Sequence, residues 1–199
     1  MITIDLPTAR IRTISVGNLD NNVYVVACRV TNQALIIDAA AEPDKILPLL
    51  TDLTPIAVLT THGHADHIGA VSAITSTLGI PFRMHEADAP IARRPIDQPL
   101  TAGQITVGEL SINVLHTPGH TPGSMCFAFD TVVFTGDTLF PGGPGATRFP
   151  YSDFDDIMVS LRSELFTLPD ETRVLPGHGD STQIGIERPH LTEWQDRRW

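Results

Sequence analysis

The order of strand and helix signals predicts an α/β (α+β) fold in which sheets carry helices on their outer faces. Three observations lead there. Strand-like runs come in clusters, each followed by a single helical run, twice over. The helical runs are apolar along one side, so each has a face to bury. The run at residues 55–60 is apolar at neighbouring positions, as a strand covered on both faces must be.

Residues 10–15, 23–29 and 34–38 are rich in β-branched side chains and read as strands. Residues 43–53 read as a helix with Ile46, Leu49 and Leu50 on one side, although Pro48 fits a helix only in its first turn. After the buried strand at 55–60, residues 66–78 place Ile68, Val71, Ile74 and Leu78 at helical spacing. A short helix is expected over 86–94. Strands follow at 104–107 and 110–116 around Gly108-Glu109, and at 125–129 and 132–135 around Asp130-Thr131. Residues 141–152 form a Gly- and Pro-rich loop. Residues 153–167 read as a helix with Asp153 as N-cap and Ile157, Leu161 and Leu165 four residues apart. A last short strand spans 173–175. The segment 187–199, with His190, Trp194 and Trp199, is expected to pack as a short amphipathic helix over the domain.

A chain of 199 residues with no linker or repeat is expected to form one domain, 1–199. A formal net charge of −10 argues against a nucleic-acid partner, because phosphate backbones repel it. No apolar run is long enough to span a bilayer, so no membrane partner is expected. The first residues lack a basic stretch followed by an apolar one, which points to a cytoplasmic protein. The two cysteines, Cys28 and Cys126, exclude a zinc site built on three or four thiolates, and a disulfide between them is not expected in a reducing compartment. Any metal must be held by histidine and carboxylate. There are 8 histidines.

The histidines are not scattered. His62-Gly63-His64-Ala65-Asp66-His67 follows the buried strand and opens a helix. His62 and His64, two apart in extended backbone, point the same way. Asp66 and His67 are turned off that line and can serve a second, neighbouring metal. Gly63 and Ala65 leave space between the ligands. His120 lies in the stiff loop His116-Thr117-Pro118-Gly119-His120-Thr121-Pro122-Gly123-Ser124 between two strands, and His116 there reads as support or core rather than ligand. Asp137 follows the strand at 132–135, and a carboxylate can bridge two cations. His178 lies between Gly177 and Gly179 after the last strand. All these groups sit on loops just after short strands, where polar constellations are usually built. Five histidines and two aspartates suit two zinc-like ions with nitrogen and oxygen ligands.

These motifs resemble the metallo-β-lactamase superfamily, and within it the glyoxalase II-like (hydroxyacylglutathione hydrolase-like) thioester hydrolases. The resemblance rests on His-x-His-x-Asp-His at 62–67, His-Thr-Pro-Gly-His-Thr-Pro-Gly at 116–123, Gly136-Asp137-Thr138-Leu139-Phe140 and Pro176-Gly177-His178-Gly179, and runs from about residue 16 to 178. It implies a four-layer αββα sandwich with the metals at one edge between two sheets. It implies that His62, His64 and His120 hold one metal, that Asp66, His67 and His178 hold a second, and that Asp137 bridges them. Zinc is the implied metal, with iron or manganese as the other candidates. Asp66 is also expected to orient the hydroxide that attacks the substrate carbonyl. Asp38 matches a family position read as structural support near the site, and Asn22 resembles the asparagine that often precedes the family's second strand.

The implied substrate is a small-molecule acyl-thioester. Family members that grip glutathione do so with a helical C-terminal region, and residues after His178 are too few for it. The thiol carrier is therefore open among glutathione, mycothiol and coenzyme A. Arg148 and Tyr151, in a loop that departs from the family pattern, are the candidate substrate contacts, with Arg148 facing a carboxylate; the plainer alternative is an ordinary surface loop. The other enzymatic reading is a mononuclear iron persulfide dioxygenase, in which His62, His120 and Asp137 form the facial triad. A β-lactamase fits this motif set less well.

Overall fold

The computed structural model describes residues 1–198 and opens on four antiparallel strands, β1 (Ile2–Asp5), β2 (Ala9–Val16), β3 (Asn21–Cys28) and β4 (Gln33–Ile37). Helix α1 (Pro43–Ile46) leads to β5 (Thr54–Leu59), which runs parallel to β4. Helices α2 (Ala65–Ile68) and α3 (Val71–Leu78) precede β6 (Phe82–Met84), and α4 (Ala89–Ala92) precedes β7 (Gln98–Pro99). Strands β1 to β7 pair in chain order as one sheet. The chain then lays down β8 (Gly103–Val107), β9 (Leu110–His116), β10 (Met125–Phe129) and β11 (Val132–Gly136). A small ribbon, β12 (Leu139–Phe140) with β13 (Gly143–Pro144), comes before α5 (Phe154–Ser160). Strand β14 (Arg173–Pro176) pairs parallel to β11, and β15 (Thr182–Gln183) closes a second sheet of order β15-β14-β11-β10-β9-β8. Helices α6 (Ile184–Glu187) and α7 (Leu191–Arg197) end the described chain.

Strand periodicity divides the apolar side chains among three cores. In β3, Tyr24, Val26 and Cys28 face the second sheet, whereas Val23, Val25 and Ala27 face the helices. In β10 and β11, Phe127, Phe129 and Phe134 meet the first sheet, and Cys126, Ala128 and Val133 turn outward under α5 and α7. Ile46, Leu49, Val71 and Ile74 cover the first sheet; Ile157, Leu161, Leu165 and Trp194 cover the second. The layers are therefore helix, sheet, sheet, helix, the predicted αββα arrangement. Both cysteines are free and buried. No described helix is long and apolar enough to cross a membrane.

The structure corrects several predicted boundaries. The helix expected over 43–53 is α1 followed by a 3₁₀ turn, Leu47–Leu50, which places Pro48 at a start where no N–H is needed. The helix expected over 66–78 breaks between α2 and α3 because the Ala70 amide turns to the Ala39 and Ala40 carbonyls, at 3.0 and 3.2 Å. The helix over 86–94 is likewise a 3₁₀ turn, Glu86–Asp88, plus α4. The helix from Asp153 ends in a π-helical turn at Leu161–Leu165. Asp153 caps it as expected, its Oδ1 accepting from the Asp155 and Asp156 amides at 2.8 and 3.0 Å. Strands β1, β6, β7, β12, β13 and β15 have no counterpart among the strands expected from the sequence, and β13 falls in the loop expected over 141–152: β1 lies at an edge, and the others are too short to show a period. In the C-terminal segment Trp194 is buried against the second sheet, as expected of a packed helix; Trp199 lies outside the described residues.

Candidate metal centre

The loops that follow β5, β9, β11 and β14 meet at one edge of the two sheets, and they bring together all seven predicted ligands. Three groups of side-chain atoms lie within 4.8 Å of one another: His62, His64 and His120; Asp66, His67 and His178; and His62, His67 and Asp137 between them. In the first group, His64 Nδ1 is 2.9 Å from His62 Nε2 and 3.0 Å from His120 Nε2. In the second, His67 Nε2 is 3.1 Å from His178 Nε2, and both are 3.3–3.6 Å from Asp137 Oδ1.

Each histidine is held by its other ring nitrogen, and this fixes which nitrogen faces inward. His67 Nδ1 donates to Asp38 Oδ2 at 2.9 Å, and His120 Nδ1 donates to the Ala146 carbonyl at 2.7 Å. His178 Nδ1 donates to the Leu19 carbonyl at 2.8 Å. His62 Nδ1 lies 3.1 Å from Thr61 Oγ1, whose hydroxyl donates to Asp38 Oδ2 at 2.7 Å. His64 is turned the other way, with Nε2 2.7 Å from the Tyr151 hydroxyl. Asp38 thus orients ligands of both groups, one directly and one through Thr61.

Electrostatics separate the two groups. Burial and the neighbouring histidines hold His62 well below the usual imidazole range and His64 at about 4, and burial also lowers His120. These three are neutral at pH 7, so each keeps one ring nitrogen free of a proton and able to meet a cation. Burial opposes a charge on His67, but Asp137 and Asp38 outweigh it and raise the group well above its usual value. His178 is raised against burial by Asp66 and Asp137. Burial would raise the two carboxyls, yet His178 and His67 hold Asp66 low, and His67 holds Asp137 low.

This donor set fits divalent cations. Neutral imidazole nitrogens 2.9 and 3.0 Å apart are placed to share a cation. Nitrogens on a tetrahedral zinc are spaced about 3.3 Å apart, given Zn–N bonds of about 2.0–2.1 Å. Asp137 Oδ1 is buried without a hydrogen-bond partner, which is costly for a carboxylate that no cation meets. A Cβ at Gly177 would overlap Asp137 Oδ1, so glycine is required where the chain passes the centre.

The supporting shell holds residues the sequence did not single out. Asn21 Nδ2 donates to Asp66 Oδ2 at 2.9 Å. Asn22 secures the His178 turn by donating to the Pro176 and Gly179 carbonyls at 3.1 and 2.9 Å. The Asn-Asn pair at the start of β3 was the available signal. Phe149 covers the first group, its ring 4.9 Å from that of His64, and stacks on Tyr151 at 5.5 Å. Arg148 lies 5.8 Å from the Phe149 ring centre and lines an open cleft with Ala146, Thr147 and Arg198. His116 is outside the ligand groups: its Nε2 donates to the Pro122 carbonyl at 2.9 Å, and its ring stacks on His85.

Residues 16–178 match the sequence family described as the metallo-β-lactamase superfamily. The chain belongs to that superfamily. Hydroxyacylglutathione hydrolase GloC from Haemophilus influenzae is 33% identical over 181 residues, covering 78% of this chain and 84% of its own. Among solved structures, TTHA1623 in a di-iron-bound form is 36% identical, with a TM-score of 0.79, covering 89% of this chain and 96% of that one. The BLEG-1 B3 metallo-β-lactamase is 33% identical, with a TM-score of 0.81, covering 91% and 97%. Membership of this superfamily of metallo-hydrolases, together with the His/Asp cluster, supports a metal-dependent enzyme of the hydrolase type.

Proposed function

We propose that the protein hydrolyses small-molecule acyl-thioesters at a dinuclear metal centre. His62, His64 and His120 hold one ion, Asp66, His67 and His178 hold the other, and Asp137 bridges them. The observation that carries this reading is the convergence of five imidazoles and two carboxylates into adjoining groups, each imidazole held from outside by its other ring nitrogen. The likeness to GloC supports the thioester. The ions, zinc with iron or manganese as the other candidates, would supply a water nucleophile active near neutral pH and an electrophile for the carbonyl.

The chain's own residues do the rest. Asp66, kept ionised, has Oδ2 committed to Asn21 and accepts a hydrogen bond from the attacking water at Oδ1, which orients it. Phe149 and Tyr151 wall off the first group and restrict water there. Arg148, exposed at the mouth, meets a carboxylate of the substrate. A chain of net charge −10 is suited to a small cytoplasmic metabolite rather than to nucleic acid.

The test is metal analysis of the purified protein, joined to a panel of acyl-thioesters of glutathione and coenzyme A, a β-lactam, and oxygen uptake with a persulfide. The expected result is two ions per chain and thioester turnover, with metal and turnover lost together in His62→Ala and Asp137→Ala. One iron per chain with oxygen uptake would replace this reading by the persulfide dioxygenase. Turnover of the β-lactam above every thioester would replace it by a lactamase.

A further inference from the structure

We infer that Asp88 is a positioning residue for the first metal group, clamping together the two loops that carry its three histidines. This rests on the dinuclear reading for its consequence, but the clamp itself stands on geometry. Asp88 is fully buried in the 3₁₀ turn before α4, and its carboxylate accepts three hydrogen bonds. Oδ2 accepts from the Gly63 amide at 2.7 Å and from the Thr121 hydroxyl at 2.7 Å. Oδ1 accepts from the Gly123 amide at 2.6 Å. Gly63 lies between His62 and His64; Thr121 and Gly123 follow His120. One carboxylate therefore ties His62 and His64 to His120, beside the backbone hydrogen bond, Met125 N–H to the Thr61 carbonyl at 2.8 Å, that joins the same two segments.

The glycines show that the fit is close. A Cβ added at Gly63 would lie 2.8 Å from the Asp88 carbonyl oxygen, and one at Gly123 would lie 2.7 Å from the Asp88 carboxyl. Both are glycine to admit Asp88 rather than to adopt left-handed backbone, since neither has a positive φ. The second group is held by other residues: Asn21 on Asp66, Asp38 on His67 and the Leu19 carbonyl on His178. Loss of the clamp should therefore weaken one group and spare the other.

Asp88→Asn is the discriminating substitution because its shape is unchanged. Whichever way the amide turns, its NH₂ faces either the Gly63 or the Gly123 amide, and one buried N–H loses its acceptor. Two measurements test the consequence. In metal-free protein, hydrogen exchange at the Gly63 or the Gly123 amide, whichever faces the new NH₂, should speed up in the variant by about tenfold or more, as expected when a charge-assisted bond is lost. In a cobalt(II) titration, affinity for the three-histidine group should fall about 10–100-fold, and for the Asp66 group by less than about threefold. Unchanged exchange, unchanged affinities, or equal weakening of both groups would overturn the inference. If wild-type protein takes up fewer than two ions, the dinuclear reading fails, and exchange still decides the clamp. Should Asp88→Asn not fold, Thr121→Val removes one bond to the same carboxylate. It should weaken the three-histidine group alone by about 2–10-fold, and an unchanged affinity there would count against the clamp.

Discussion

Replacing Asp38 by asparagine should cost the second metal group its ion while leaving the fold in place. Asp38 adopts φ +56°, a left-handed conformation that asparagine tolerates, so the backbone has no reason to move. Its Oδ1 accepts from the Thr61 amide at 2.8 Å, and an asparagine oxygen can keep that bond. The new NH₂ then occupies the place of Oδ2. Thr61 can rotate its hydroxyl and accept from it, but His67 Nδ1–H cannot. In that orientation His67 loses the bond or moves its proton to Nε2, the nitrogen facing His178 and Asp66; in the opposite one the Thr61 amide beside His62 loses its acceptor instead. A hydrogen bond to a charged group is worth about 1.5–3 kcal/mol. That corresponds to a 10–100-fold loss of affinity, about 1.4–2.7 kcal/mol, the usual cost of removing a carboxylate behind a ligand histidine. Competition with a chromophoric chelator on metal-free protein measures both constants. The constant for the Asp66, His67 and His178 group should weaken by that factor. Unchanged binding there, with the protein folded and the Thr61 amide still as protected from hydrogen exchange as in the wild type, would show that Asp38 does not set the His67 tautomer.

Three further outcomes follow from the same structure. Gly119→Ala should destabilise by about 3 kcal/mol or more in urea unfolding, because φ is +135° and the new Cβ would overlap the Ile157 backbone at the start of α5; an unmoved midpoint would refute this. Phe134→Ala should cost about 3–5 kcal/mol by the same measure, since its fully buried ring packs 4.9 Å from that of Tyr24 between the sheets. Tyr151→Phe should keep both ions and lower thioester kcat/KM by about fivefold, the worth of one partly exposed hydrogen bond; complete loss of turnover would assign the hydroxyl a larger role than holding His64.

The seven side chains that meet at the sheet edge were legible in the sequence because their chemistry is local. Their side-chain types, spacing and placement after short strands all appear within a few neighbouring residues. The layered fold was legible for a related reason: β3, β5, β10 and β11 are apolar on both faces, and the helices beside them are not. What could not be read is the shell that crosses the chain. Asn21 reaches Asp66 over 45 residues, and Asp88 reaches Thr121 over 33. Neither contact leaves a period or a motif, because any polar residue in a loop looks alike until the fold supplies its partner.

Gly63 makes the point physically. Beside two histidines it reads as spacing that keeps the ligands apart, yet the space it leaves is filled by Asp88 from another segment. Its missing Cβ therefore serves the contact between loops more than the metals directly. The same holds for Gly123. Where a motif combines ligands with glycines, the ligands specify the chemistry, and the glycines mark where a distant residue must approach to hold those ligands still. Preorganisation of this kind is what separates a centre that merely attracts cations from one that holds them in a working geometry.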